Sequence, residues 1–339
     1  MSKYFIGVMT GTSADSLDGC IVSFEKDFNL IETEQIELGN EYKDKYEKCI
    51  RLGFKEVNDS DDLLEIENTL NEKTIEIVES LIAKSKISKQ DISLIGLSGQ
   101  TIFHTYDKSY QLGNNQKIAN TIGINVCSDF RNFDIKQGGM GAPLIPIFHK
   151  YLYSENNKNK LVINIGGISN GTYLESINIK YASDVGPGNC LIDKFTKKYF
   201  DKSFDNNGEI SSTGRVNEQL INRLIKETSD MVYPRADDKN TYYKLIDNKF
   251  FNIPPEDILR TLVDFTATKI NDFFSYCDRP QEVIFHGGGT KNIFLMDSIK
   301  DKLGCEIRTT DKEIPSKFVE AAAFAYLAYK KKGEIYLSK

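Results

Sequence analysis

Leu161-Val162-Ile163-Asn164-Ile165-Gly166-Gly167-Ile168-Ser169-Asn170 is an apolar, β-branched run that breaks into a glycine pair and then turns polar. Such a run reads as a buried strand closed by a tight turn. The pattern occurs three times. Upstream, Tyr4-Phe5-Ile6-Gly7-Val8-Met9 enters Thr10-Gly11-Thr12-Ser13-Ala14-Asp15-Ser16-Leu17-Asp18, a loop dense in turn formers, before a second apolar run from Gly19 to Phe24. Downstream, Glu282-Val283-Ile284-Phe285-His286 enters Gly287-Gly288-Gly289-Thr290-Lys291-Asn292 and opens a helix from Ile293 to Leu303. Glycine lets backbone amides come close to a phosphate, and successive N–H groups form an anion-binding concavity. One such turn is ordinary, but three, each after a buried strand, favour a nucleotide site over coincidence. The chain has no GxxxxGK[ST] P-loop, and its opening loop is not a GxGxxG leading into a helix, which argues against a P-loop ATPase and a Rossmann dehydrogenase.

Working outward, apolar residues at Leu63, Ile66, Leu70, Ile77 and Leu81 predict an amphipathic helix over Asp59 to Lys86, with Asp59 or Ser60 as its N-cap. It feeds a buried strand, Ile92 to Leu97, that ends in Ser98-Gly99-Gln100-Thr101. Another strand, Gly123 to Cys127, ends in Ser128-Asp129-Phe130-Arg131. Polar residues just beyond strand carboxyl ends are where α/β proteins hold ligands. A strand from Gly171 to Glu175 pairs with the Leu161 run, so a hairpin with a glycine-bearing polar loop occurs once in each half. Helices are expected over Leu191 to Phe200, Val216 to Lys226, Glu256 to Phe274 and Phe318 to Tyr329. This alternation predicts an α/β protein with a mixed sheet flanked by helices in each lobe. At 339 residues the chain exceeds the roughly 250 to 300 that one core supports. Two lobes around a central cleft follow, 1–126 plus 318–339 and 127–317.

Composition narrows the partners. The net charge is −6 with no long block of one sign, which argues against a dedicated nucleic-acid or anionic-membrane binder. No apolar run approaches the roughly 20 residues that span a bilayer, and Met1-Ser2-Lys3 leads straight into a strand without a signal-peptide layout. A cytoplasmic location is the expectation. The six cysteines form no CxxC pair and there are three histidines, so the thiols read as reduced packing groups rather than zinc ligands.

The carboxylates carry the chemistry. Asp15 and Asp18 fall in the first loop, where a divalent cation bridging nucleotide phosphates takes oxygen ligands, although Asx-turn chemistry explains either one equally well. Asp184 precedes Gly186-Pro187-Gly188 on a rigid turn that opens a helix. A carboxylate so placed can take a proton from an attacking water or hydroxyl while a phosphoryl group moves. It can also be an N-cap, a role Asn189 serves better.

Taken in order, the glycine turns resemble the phosphate, second phosphate and adenosine motifs of the actin, sugar kinase and heat-shock chaperone superfamily. Within it, the chain resembles the anhydro-N-acetylmuramic acid kinases. The matching residues are Gly11-Thr12-Ser13 with Asp15 and Leu17-Asp18, Gly99-Gln100-Thr101, Asp129-Phe130-Arg131 and Gln137-Gly138-Gly139-Met140-Gly141-Ala142-Pro143-Leu144. They continue through Asn164 to Asn170, Asp184 with Gly186-Pro187-Gly188-Asn189, Gly287-Gly288-Gly289 with Asn292, and Val319-Glu320-Ala321. The resemblance implies a two-lobed, actin-like ATPase fold and an ATP- and Mg-dependent enzyme of cell-wall sugar recycling. Such an enzyme opens 1,6-anhydro-N-acetylmuramic acid with water and phosphorylates it at O6, giving N-acetylmuramic acid 6-phosphate. It implies that Gly11, Thr12, Ser13, Ala14, Asp15, Ser16, Leu17 and Asp18 line the ATP phosphates, with Asp15 and Asp18 towards Mg. Gly166, Gly167, Gly287, Gly288 and Gly289 complete the nucleotide turns. Asp184 is then the base that activates water, while Gln100, Asp129 and Glu320 lie near the sugar, and a homodimer is one expected state.

The chain departs from the family pattern, which has His at Ser98, Gly at Ser16 and Thr at Val185. The family's Pro-rich stretch ending in Lys-Ser-Thr-Gly-Arg-Glu is replaced around Tyr233-Pro234-Arg235 to Lys244. The phosphate turns are untouched. The altered positions either line the sugar pocket or form a surface loop or dimer contact. They leave open a kinase for another anhydrosugar, such as levoglucosan, and a non-catalytic nucleotide-binding relative. Retention of Asp184 argues against the last.

Overall fold

The computed structural model describes residues 3–52, 61–105, 107–237, 239–246 and 252–339. They form two compact units, Met1–Phe148 with Phe318–Lys339, and His149–Lys317. The strand Val126–Ser128 hydrogen-bonds in parallel with Ile92–Leu97, so the first unit continues past the boundary expected after residue 126 and runs to Phe148.

In the first unit the described residues build a six-stranded mixed sheet. Its order is Glu334–Tyr336, Val126–Ser128, Ile92–Leu97, Tyr4–Thr10, Ser16–Ser23, Asn29–Glu37. The last three form an antiparallel meander, and Tyr4–Thr10 then pairs in parallel with Ile92–Leu97. The helix Asp61–Ser85 buries Leu63, Ile66, Leu70, Ile77 and Leu81, the spacing read from the sequence, while the proposed caps Asp59 and Ser60 lie outside the described residues. On the strand Ser16–Ser23, Gly19 faces Ile77 and Leu81 of that helix.

A second helix, Val319–Tyr329, is held by two glycines that stand opposite one another in the parallel pair, Gly7 and Gly96. A Cβ on Gly7 would lie 1.8 Å from the Ala321 carbonyl oxygen, and one on Gly96 would lie 2.2 Å from that of Phe324. Ala321, Ala322, Ala323, Ala325 and Ala328 are all fully buried, so small side chains on the helix meet bare backbone on the strands. Helix and sheet approach more closely than any side chain would permit.

The second unit repeats the plan with a five-stranded sheet, ordered Asn178–Pro187, Ile168–Glu175, Asn159–Ile165, Glu282–His286, Glu306–Thr309. Again three strands form an antiparallel meander and the inner one then pairs in parallel with the next. The hairpin anticipated in each half is therefore the first part of a longer recurring unit. The apolar helix Pro255–Tyr276 fills the core of this unit, with Leu259, Val263, Phe265, Ile270 and Phe273 fully buried. No helix among the described residues is long and apolar enough to cross a membrane.

Replacing Gly7 with Ala puts a methyl group against backbone that cannot rotate away, so it should destabilise by about 1 to 3 kcal/mol or more. Thermal unfolding of the Gly7→Ala and Gly96→Ala proteins checks this, and unchanged midpoints would mean the helix is not pinned to the strands.

Candidate active site

The first glycine turn is shorter than its polar sequence suggests. Ser16, Leu17 and Asp18 belong to the second strand, where Asp18 pairs opposite Met9, leaving Gly11 to Asp15 as the turn. The reason is alternation: Leu17 is buried and Asp18 half-buried on successive faces of the strand. Ala14 is fully buried and takes a left-handed conformation, φ 54°, with its N–H donating to the Gly11 carbonyl at 3.1 Å. Asp15 is exposed and forms an ion pair with Lys43 at 2.6 Å. Asp18 accepts from the Ser16 hydroxyl at 3.3 Å. Asp15 and Asp18 are thus separated in role, one tied to a surface lysine and the other turned towards the helix Val319–Tyr329.

Gln100 is fully buried beneath this turn. Its Oε1 accepts from the Thr10 hydroxyl at 3.0 Å and its Nε2 donates to the Gly11 carbonyl at 3.1 Å. Ser98 accepts from the Thr10 N–H at 3.2 Å and donates to the Gly99 carbonyl at 2.9 Å. Both side chains therefore brace the turn from below.

Glu320 begins the Val319–Tyr329 helix, and its carboxyl is pushed up to about 7 by burial and by the charge of Asp18, against the opposing pull of Arg131. Arg131 donates to the Gly141 carbonyl at 3.2 Å, and burial lowers its own affinity for the proton. Asp129 stands at the entry to the same short helix, Phe130–Lys136, in a left-handed conformation with φ 54°. It accepts from Asn132 at 2.6 Å, and burial raises its pKa. Of the residues expected near a sugar, Glu320 and Asp129 present carboxyls perturbed by burial, whereas the Gln100 amide is spent on the turn.

In the second unit the remaining glycine motifs are brought together. The Gly166 carbonyl accepts from the Asn189 N–H at 2.8 Å, and the Gly167 carbonyl accepts from Gly188 and Cys190, each at 3.0 Å. These bonds staple the turn onto the start of the helix Cys190–Phe200. A Cβ on Gly188 would lie 2.2 Å from the Gly166 oxygen. Gly287, at φ 88°, and Gly289 press on Asn164 and Ile165 in the same way, whereas Gly288 has nothing within 4 Å of where a Cβ would stand. Asn292 caps the following helix by accepting from the Leu295 N–H at 3.0 Å.

Asp184 is half-buried on the last turnward residues of its strand, and its carboxyl is pushed up to about 6. Burial is the main cause; the Asp237 charge adds to it, while the Asp237 N–H and the Arg235 guanidinium oppose it. It is not the N-cap of the helix that follows, whose cap position is Asn189. A carboxylate poised near neutral pH and held in a hydrogen-bonded frame is the arrangement a general base needs.

A family model described as anhydro-N-acetylmuramic acid kinase matches residues 3–335. The chain belongs to the anhydro-N-acetylmuramic acid kinase family. It is 32% identical to the anhydro-N-acetylmuramic acid kinase of Haemophilus influenzae, over 96% of this chain and 91% of that one. It is 33% identical to the one from Gamma-proteobacterium EBAC31A08, over 97% of this chain and 92% of that one. Among solved structures, component A of the Acidaminococcus fermentans (R)-2-hydroxyglutaryl-CoA dehydratase superposes with a TM-score of 0.54 at 13% identity, covering 98% of this chain and 99% of that one. The Clostridium difficile activator of 2-hydroxyisocaproyl-CoA dehydratase, solved with bound ADPNP, gives 0.52 at 13% identity over 97% and 95%. These two carry the fold only. The α/β class expected from the sequence, with a mixed sheet flanked by helices in each of two units, is the one observed.

Within the segment 233–244, read from the sequence as a departure from the family pattern, Tyr233, Arg235 and Asp237 bond to the strand that carries Asp184. The Asp184 N–H donates to the Arg235 carbonyl at 2.9 Å, and the Tyr233 hydroxyl donates to the Val185 carbonyl at 3.1 Å. Lys239 reaches the second glycine turn, its Cε 2.7 Å from where a Cβ on Gly167 would be. Arg235, Asp237 and Tyr242 lie in the segment for which the sequence leaves a sugar-pocket reading and a surface reading open, and no local motif singles them out.

Asp18→Asn should lower the pKa of Glu320 from about 7, because the like charge that raises it is gone. An NMR titration of the carboxyl carbons reads the midpoint directly; an unmoved Glu320 would show that the two groups do not interact.

Proposed function

We propose that the chain is an ATP-dependent kinase that opens 1,6-anhydro-N-acetylmuramic acid with water and phosphorylates it at O6. The observation that carries the chemistry is Asp184, a carboxyl pushed up to about 6 on the strand end beside the stapled glycine turns. In this reading Asp184 takes a proton from water, and the water oxygen forms a bond to C1 of the sugar. The C1–O6 bond breaks, O6 bonds to the γ-phosphorus, and the bond from that phosphorus to ADP breaks. Water, ATP and anhydrosugar are consumed, ADP and the 6-phosphate are formed, and the proton remains on Asp184 until it passes to solvent.

The amides of Gly11, Thr12, Ser13 and Asp15, of Gly166-Gly167 and of Gly288-Gly289 serve the nucleotide, because backbone N–H groups suit charged oxygens and glycine lets them come close, while the Ala14 and Gly287 N–H groups hold the turns by donating to the Gly11 and Ser316 carbonyls. Glu320 and Asp129 serve the sugar hydroxyl and amide groups. No group of three or more metal-ligating side chains occurs among the described residues. Mg is commonly bound by one or two carboxylates plus the substrate's phosphates rather than by a protein cage. Asp18 suits the role better than Asp15, since Asp15 is paired with Lys43 and Asp18 already raises the pKa of Glu320, a repulsion a cation would relieve. Bound there, Mg would neutralise charge on the phosphate oxygens. A cytoplasmic setting goes with the use of ATP, and a homodimer rests on the family resemblance alone.

Asp184→Asn, nearly isosteric, should lower kcat by about 10² to 10⁴ while leaving ATP affinity nearly unchanged. Equal loss of both would make Asp184 a structural group. In the unaltered enzyme, kcat/KM should rise with pH through about 6, because the base acts only when ionised. Assays with ATP on anhydro-N-acetylmuramic acid and levoglucosan, run in ¹⁸O-water, test substrate and route together. The expected product from the first sugar carries no label in its phosphate; a preference for levoglucosan would overturn the substrate.

A further inference from the structure

The residues that hold Asp184 come from the stretch Tyr233 to Tyr242, which the sequence reading set apart from the family pattern. The Asp237 N–H donates to Asp184 Oδ2 at 2.7 Å, and no hydrogen bond to Oδ1 is formed among the described residues. Asp237 is fixed in turn by its own carboxylate, which accepts from Arg235 Nε at 3.0 Å and from the hydroxyl of Tyr242. Tyr242 is fully buried. Arg235 is anchored through Nη2 to the Val185 carbonyl at 2.6 Å and through Nη1 to the Met231 carbonyl at 2.9 Å, with its guanidinium 4.6 Å from the centre of the Tyr233 ring. The Arg235 N–H also donates to the Ser183 hydroxyl at 2.9 Å.

We propose that Arg235, Asp237 and Tyr242 form a positioning brace for Asp184, clamping Oδ2 so that Oδ1 is presented to the proton it removes. The inference rests on the reading of Asp184 as the base. Side chains of Arg235 and Asp237 are about nine-tenths or more buried. An ion pair so placed stabilises little against an apolar replacement, because desolvation offsets the attraction. What the pair does supply is a fixed geometry, and a base displaced by about 1 Å can lose on the order of 10² in rate. It supplies a field as well. The charged groups facing Asp184 from this segment are Asp237 and Arg235, with opposite effects. From the helix Pro255–Tyr276, Lys269 packs on Gly186 but its ammonium is held by Asp272 at 3.0 Å. The paired strand places the uncharged Asn170 opposite.

The test uses the full chain with Asp237→Asn, Tyr242→Phe and Asp184→Asn, followed by kcat, KM for ATP and the pH profile of kcat/KM. Asp237→Asn keeps the backbone donor but removes the charge and weakens the tie to Arg235. The expected result is a fall in kcat of roughly tenfold, unchanged KM for ATP, and an acid limb moved to lower pH. Tyr242→Phe retains the ring in the core and should lower kcat in the same sense, which carries the test if Asp237→Asn does not fold. Combining Asp237→Asn with Asp184→Asn should cost no more than Asp184→Asn alone, since the brace acts through that carboxylate. If Asp184→Asn abolishes turnover while the other two variants change only thermal stability, with kcat and the acid limb intact, the brace is wrong and the base survives. If Asp184→Asn has no effect, the reading of the base itself fails.

Discussion

The contact on which the rest of this molecule depends is backbone against backbone at glycine. In the first unit Gly7 and Gly96, neighbours in a parallel strand pair, admit the Ala-rich helix Val319–Tyr329 to within reach of the strand main chain. In the second, Gly188 lies against the Gly166 carbonyl and Gly287 against Asn164. Any side chain at these positions would have to occupy space already filled by carbonyl oxygens. The consequence is more than tight packing, because the same contacts place the functional groups. The first sets Glu320 near Asp18, and the second fuses one glycine turn to the amides that open the helix Cys190–Phe200.

Both units use this rigidity to hold a carboxyl at a pKa that water alone would not allow. Asp184 and Glu320 are each raised chiefly by burial and further by one neighbouring carboxylate, and each is restrained by one arginine, Arg235 and Arg131 respectively. Removing a carboxylate from water favours its protonated form, and a nearby like charge adds to that, whereas a cation subtracts. The balance leaves both groups near the pH at which a proton can be taken up or given away cheaply. Groups of this kind concentrate where chemistry is done.

Much of the architecture was legible in the residues. The strands ending in the glycine turns, the helix spanning Leu63 to Leu81 and the helix Ile293–Leu303 follow from apolar periodicity and turn chemistry, which act over a few residues. Less visible were the strand Asn29–Glu37, mostly intermediate in burial, and the strand Asn178–Pro187, where exposed and intermediate residues give way to a buried end, so that neither shows a plain alternation. Asp18 illustrates the limit within a motif: its composition reads as loop, yet pairing with Met9 extends the strand through it. Gln100 shows another, since a polar residue beyond a strand end suggests a ligand contact, but here its amide is consumed by Thr10 and Gly11.

The sequence by itself determined the family, the α/β class and the glycine turns, and it singled out Asp184 as a carboxyl just before Gly186-Pro187-Gly188, although the expected rigid turn there is the end of the strand Asn178–Pro187. Each of these is written in contiguous residues whose local conformational preferences suffice to reveal it. Only the tertiary structure decided what surrounds that carboxyl. Arg235, Asp237 and Tyr242 lie some fifty residues further along the chain, in a segment that matches no motif, and they reach Asp184 because the 233–243 segment packs on its strand. Burial, and the hydrogen bonds that must accompany it, are properties of the folded chain and leave no periodicity in the sequence.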